Sequence, residues 1–133
     1  MAQKLNLKKI GNLTTNFGGR TRGEANHPGL DIANTPGTPV PAFANGVVTA
    51  VGPTTNGMGN IVALKDGNGN THQYGHLQGV RVRKGQRVAK GQNLGPMGSS
   101  GNSYSPSGGD ATHLDIRIAN AYNKFIDPKK FLT

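Results

Sequence analysis

The sequence predicts a mostly β domain, and three observations carry that prediction. Twenty-one glycines and eight prolines in 133 residues, with no Trp, describe short segments joined by tight turns rather than long helices. THLDIRI, Thr112 to Ile118, alternates: Leu114, Ile116 and Ile118 point one way and His113, Asp115 and Arg117 the other, as on a half-buried strand. NIVALKDGNGNTHQYGHL, Asn60 to Leu77, folds back on itself at Asp66-Gly67-Asn68-Gly69, because Gly and Asn tolerate positive φ.

The elements follow in chain order. Residues 1–10 read as a loosely attached segment and residues 11–133 as a single domain, below the size at which chains split. LTTNFGGRTRG opens that domain with a short strand and a Gly turn, and NHPGLDIANTPGTPVPAFANG, rich in Pro and Gly, reads as an irregular loop crossing the core. Short strands are expected in VVTAVG, in both arms of the hairpin, in GVRVRKGQRVAKGQNLG and in THLDIRI. The steps Lys84-Gly85-Gln86 and Lys90-Gly91-Gln92 suit a turn, a short strand and another turn; they lack the spacing of a phosphate loop. SSGNSYSPSGGD, Ser99 to Asp110, is a polar loop, and YNKFIDPKKFLT closes the chain with one helical turn after Asp127-Pro128.

Composition removes several functions. Without Cys there is no disulfide framework, thiolate metal site or Cys nucleophile. A net charge of +9 and a pI near 10.3 favour polyanionic surroundings. Nucleic acid is nevertheless not the expected partner, since the cations are scattered and no series of stacking aromatics accompanies them. Neither a signal peptide nor a membrane-inserting run is expected, so the chain stays inside the cell, leaves by lysis or on a particle, or has been trimmed of a targeting segment.

Chemistry has few places to reside. The histidines are His27, His72, His76 and His113. His27 and Asp31 lie four residues apart across a Pro-Gly turn that can aim both at one divalent cation. On a regular strand His72, Tyr74 and His76 share a face, as do His113 and Asp115, so adjacent strands would bring histidines and carboxylates together. Glu24 is the only glutamate, which rules out an HExxH helix and leaves histidine to move protons. A Ser/His/Asp hydrolase is disfavoured: there is no G-x-S-x-G elbow, and the serines cluster in the loop from Ser99.

From TTNFGGRTRG through HPGLDIA, GNIVALKDGNGNTHQYGHL and VRVRKGQRVAKGQNLGPMGSSGNS to THLDIRI and DPKKFL, the chain resembles the lysostaphin and LytM family of zinc metallopeptidases. That resemblance implies a compact antiparallel β fold with the metal in an open groove, and hydrolysis of peptide cross-bridges in bacterial peptidoglycan. It implies zinc ligation by His27 and Asp31, catalytic roles for His76 and His113, and a groove bordered by the Ser99 to Asp110 loop with Tyr104. The third ligand, ordinarily the second histidine of an HxH motif, is Asp115. Carboxylate is an accepted zinc donor, but a His/Asp/Asp set neutralises the ion, which implies weaker Lewis acidity and greater tolerance of manganese. His72 stands where the family more often has a small hydroxyl residue and is either a cleft residue or a solvated strand histidine. Peptidoglycan and anionic wall polymers are the implied partners, with other phage particle proteins if the source is a phage lysin or tail domain. The alternative is a wall-binding or scaffold module without hydrolysis.

Overall fold

The hairpin between Asn60 and Leu77 forms the middle of the molecule, and Asp66 shapes its turn. Both Asn68 N–H and Asn70 N–H donate to Asp66 Oδ1 at 2.9 Å, and the Asn70 amide donates to Oδ2 at 2.9 Å. The computed structural model describes residues 4–19, 26–101 and 111–133. Within them lie a short helix α1 (Leu7–Ile10) and the strands β1 (Asn12–Thr15), β2 (Gly29–Ala33), β3 (Pro39–Pro41), β4 (Gly46–Pro53) and β5 (Asn60–Asp66). They continue with β6 (Thr71–Leu77), β7 (Arg87–Val88), β8 (Asn93–Pro96), β9 (His113–Ala119) and β10 (Phe125–Ile126), and end in a 3-10 turn, Pro128–Phe131. The main antiparallel sheet runs β1-β2-β9-β6-β5-β4-β7, with β10 also against β9, while β3 and β8 pair separately.

One face of this sheet makes the core. Leu114, Ile116 and Ile118 of β9 are fully buried, and the register sets Leu30 and Ile32 of β2 against Ile116 and Leu114. Val62, Leu64, Phe43, Val40, Leu94 and Met97 join the same cluster. Each such side chain contributes about 1.5–3 kcal/mol on removal from water.

Two expectations need correction. GLDIA, Gly29–Ala33, is an inner strand of the sheet, not part of an irregular loop: Leu30 and Ile32 alternate with Asp31 and Ala33, but the run is short and lies among prolines that mask its period. Gly29 is required there, because a Cβ on it would lie 2.2 Å from the Ile116 carbonyl oxygen. The segment 4–10 is also not loose. Leu5 N–H donates to Phe131 O at 3.3 Å, Leu7 N–H to Thr133 O at 3.0 Å and Thr133 N–H to Leu5 O at 2.8 Å, and Ile10 is only 3% exposed. The closing residues supply a partner that no local pattern reveals.

The expected turns do form. Gln86 N–H donates to Arg83 O while the Gln86 side chain accepts from Arg83 N–H at 3.2 Å, and Gln92 repeats the device with Ala89 at 3.0 Å. Gly85 and Gly91 have φ of 90° and 88°, which is why glycine precedes each glutamine. Strand in the Gly79 to Gly95 segment is confined to β7 and β8. The expected terminal helical turn forms as the 3-10 turn and is capped by Asp127, whose Oδ1 accepts from Lys129 N–H at 3.0 Å.

Candidate metal centre

Register builds the site on the sheet face opposite the core. Asp31 of β2 lies directly across from Asp115 of β9, and Ala33 across from His113. His27 precedes β2 and is held at both backbone groups: its N–H donates to Gly19 O at 2.8 Å and its carbonyl accepts from Gly18 N–H at 2.7 Å. The glycine turn after β1 thereby fixes the imidazole beside the strand. His27 Nε2 lies 3.0 Å from Asp31 Oδ1 and 3.7 Å from Asp115 Oδ1. One donor atom from each of His27, Asp31 and Asp115 falls within 4.8 Å of the others. Asp31 Oδ1 is buried and makes no hydrogen bond of good geometry, a state that a shared cation would relieve. The donors present therefore fit a divalent metal.

His76 reaches the site by a route that period-two reading misses. Pairing sets His72 against Ile118 and Tyr74 against Ile116, so both face the core, and continued alternation would send His76 after them. Instead His76 has φ of 64°, which turns its side chain over at the end of β6. Such a conformation costs a non-glycine residue about 1–3 kcal/mol and persists only where its surroundings impose it. Here His76 N–H donates to Met58 O at 2.7 Å, and its ring Nδ1–H to Ser100 O at 2.6 Å. Ser100 is itself fixed, its hydroxyl donating to Leu77 O at 2.7 Å and accepting from Asn60 N–H at 3.0 Å.

His113 is set in the same way, with Nδ1–H on Ala111 O at 2.9 Å. Both imidazoles thus carry their proton on Nδ1 and turn Nε2 toward the carboxylates: His76 Nε2 is 3.9 Å from Asp115 Oδ2, and His113 Nε2 is 3.9 Å from Asp31 Oδ1. The rings lie 4.5 Å apart. Burial, aided by the charge of His113, pushes the His76 pKa below the ordinary 6.5, against the Ser100 carbonyl and the charges of Asp115 and Asp31. Burial opposes ionisation of Asp31. The close approach and charge of His27, the charge of His113 and a hydrogen bond from Thr15 outweigh it and hold the carboxyl below 3.8.

All five expected site residues, His27, Asp31, His76, His113 and Asp115, come together. His72 does not. It is fully buried on the core face, with Nε2–H on Asp66 Oδ2 at 2.9 Å and Nδ1 accepting from Tyr74 O–H at 3.3 Å, so it is neither a cleft residue nor a solvated one. Tyr104 and residues 102–110 lie outside the described residues. The residue assigned no role from sequence is Arg117, whose Nη2 and Nε donate to Asp115 Oδ2 and Oδ1 at 2.8 and 3.1 Å. Its place two residues along the same strand face was the available signal.

The fold and donor set define the class as an antiparallel-sheet protein with a His/Asp group able to hold a metal ion. More particularly, the chain belongs to peptidase family M23, which matches residues 25–128. It is 38% identical over 111 residues to the glycyl-glycine endopeptidase ALE-1 of Staphylococcus capitis, covering 80% of this chain and 29% of that protein. It is 31% identical over 122 residues to the murein hydrolase activator NlpD of Salmonella dublin, covering 92% and 29%. The catalytic domain of lysostaphin from Staphylococcus simulans superposes with a TM-score of 0.83 at 28% identity, covering 94% of this chain and 93% of that one. The chain thus spans under a third of the length of these two curated relatives. No described helix is long and apolar enough to cross a membrane.

Proposed function

We propose that this chain is a zinc-dependent endopeptidase domain that hydrolyses peptide cross-bridges of bacterial peptidoglycan. The observation that carries the reading is the convergence of His27, Asp31 and Asp115 beside two imidazoles whose Nε2 atoms face the same point. The kinship with ALE-1 supports the substrate class. His27, Asp31 and Asp115 would hold the zinc. When bound, the ion supplies Lewis acidity toward a peptide carbonyl and acidifies water. The chain's own contribution is positional. Ser100 and Ala111 carbonyls fix both imidazoles with Nε2 inward, so one can take a proton from water while the other, once protonated, donates to the carbonyl oxygen. Asp31, ionised and half-buried, keeps the cleft negative in the absence of metal.

One observation favours a wall-binding module instead: both oxygens of Asp115 are already engaged by Arg117. Kinship with an activator supports that second reading. Elemental analysis after equilibration with zinc or manganese, on wild type and Asp115→Ala, separates the two. The endopeptidase reading expects about one zinc per chain in wild type and loss in the variant. It also expects wild type, but not His113→Ala, to release new amino termini from purified cell walls. Binding to walls with no new amino termini from either protein overturns it.

A further inference from the structure

Asp115 and Asp31 are directly opposed on neighbouring strands, and Asp115 is 3% exposed. Like charges in that relation repel, and a buried carboxylate without compensation is costly. Arg117 meets the second carboxylate with a two-pronged contact, Nη2 to Oδ2 at 2.8 Å and Nε to Oδ1 at 3.1 Å. A carboxylate has about four lone-pair positions, so each oxygen keeps one for another partner. His27 Nε2 lies 3.7 Å from Oδ1, and His76 Nε2 3.9 Å from Oδ2.

A second feature provides for the arginine. Gly29 lies directly across from Arg117, and a Cβ on Gly29 would come within 2.8 Å of Arg117 Cγ. The space left by the missing side chain is the space that the arginine stem occupies. The glycine of the HPGLD segment therefore serves two close approaches, to the Ile116 carbonyl and to this stem.

We infer that Arg117 is the fixed counter-cation of the site, a positioning residue that holds Asp115 in place in the metal-free site and offsets the charge that an aspartate brings to this position. This inference rests on the reading of His27, Asp31 and Asp115 as metal ligands. Among the described residues, neutral imidazole, two carboxylates and one guanidinium give the site one negative charge before a divalent ion enters and one positive charge after. A donor set of two neutral histidines and one aspartate gives the same result. The weaker Lewis acidity expected of a bare His/Asp/Asp set is thereby offset. Arg117 also has a cost for metal binding, because guanidinium and ion share one carboxylate and repel.

The test uses the full chain as wild type, Arg117→Gln, Arg117→Lys, Asp115→Asn and the double variant Arg117→Gln/Asp115→Asn. Melting temperature is read in chelator, and zinc affinity by competition with a chromophoric chelator. Arg117→Gln is expected to lower the metal-free melt by about 5 °C and to tighten zinc binding about tenfold. Arg117→Lys keeps the charge without the fork, so it should recover part of the melt and hold zinc near wild-type affinity. On the Asp115→Asn background, Arg117→Gln should lower the melt little. Unchanged melt and unchanged affinity in Arg117→Gln overturn the inference, as does weaker zinc binding with an unchanged melt. Absence of zinc binding in wild type instead refutes the metal reading. The chelator melts then still decide Arg117: coupling to Asp115 supports a counter-cation, and additivity overturns it.

Discussion

His72 and His76 sit four residues apart on one strand, are both buried, and have opposite fates. His72 faces the core and has both nitrogens committed: Phe43 N–H donates to the Tyr74 hydroxyl Oη at 2.8 Å, Tyr74 O–H to His72 Nδ1, and His72 Nε2–H to Asp66. Each group in that series donates and accepts in one consistent direction, which fixes a neutral imidazole. Among the described residues His76 commits only Nδ1, to Ser100 O, and presents Nε2 to the cleft. Burial alone therefore does not distinguish a histidine held in the core from the proposed catalytic one. The count of nitrogens satisfied within the protein does.

The sharpest break in this pair comes from removing each imidazole. His76→Asn keeps a residue that tolerates the left-handed conformation, so the fold should survive while the cleavage rate falls about 10²–10⁴-fold. Release of new amino termini from cell walls, set beside an unchanged denaturation midpoint, checks this. His72→Ala should do the reverse. It strips a partner from Asp66 and from Tyr74 and opens a gap beside Phe131, whose ring lies 5.0 Å away, for a loss of about 2–4 kcal/mol. Urea unfolding measures that loss; cleavage per folded molecule should stay near wild type, and a large fall in it would place His72 in the chemistry after all.

Tyr74→Phe is a smaller intervention on the same network. The ring keeps its edge contact with Phe43, but Phe43 N–H and His72 Nδ1 lose their shared hydroxyl, at a cost of about 1–2 kcal/mol by urea unfolding. A cost near zero would mean that water replaces the hydroxyl.

What the sequence disclosed of all this depends on how local each cause is. The alternation of THLDIRI correctly divided β9 into a core face and a site face, and the Asp66 turn was legible because its hydrogen bonds close within four residues. His27 and Asp31 were legible as a pair, although the strand carrying Asp31 was hidden among prolines. The same period-two rule failed on β6, where His76 turns over at positive φ because Met58 and Ser100, far away in sequence, hold it there. It failed for His72 for the related reason that a core-facing polar residue is recognisable only through its partners. Docking of residues 4–10 depends on the last residues of the chain, and so was equally invisible.

Acidity offers the gentlest way to separate the two histidines. Burial, above all, lowers the His72 pKa below 6.5, while the hydrogen bond and charge of Asp66 oppose it. Asp66 and Tyr74 are the titratable groups in contact with the ring among the described residues. Between the lowered folded value and 6.5 the unfolded chain binds the proton that folded His72 refuses, so stability is full above that window and declines as pH falls through it. Burial also works against ionisation of Asp66, but hydrogen bonds from His72, Asn70 and Asn68 hold its carboxyl below 3.8; its contribution is present above 3.8 and lost in a second, lower window. Because burial and Asp66 act on His72 in opposite directions, the first decline should be smaller than the cost of Tyr74→Phe. His76, also lowered, adds to the same window, so the comparison is wild type against His72→Gln, both in chelator, by urea midpoint from about pH 8 to 5. A shallower pH dependence in the variant is expected; identical slopes would assign the acid loss to the cleft and leave the core network without a share in it.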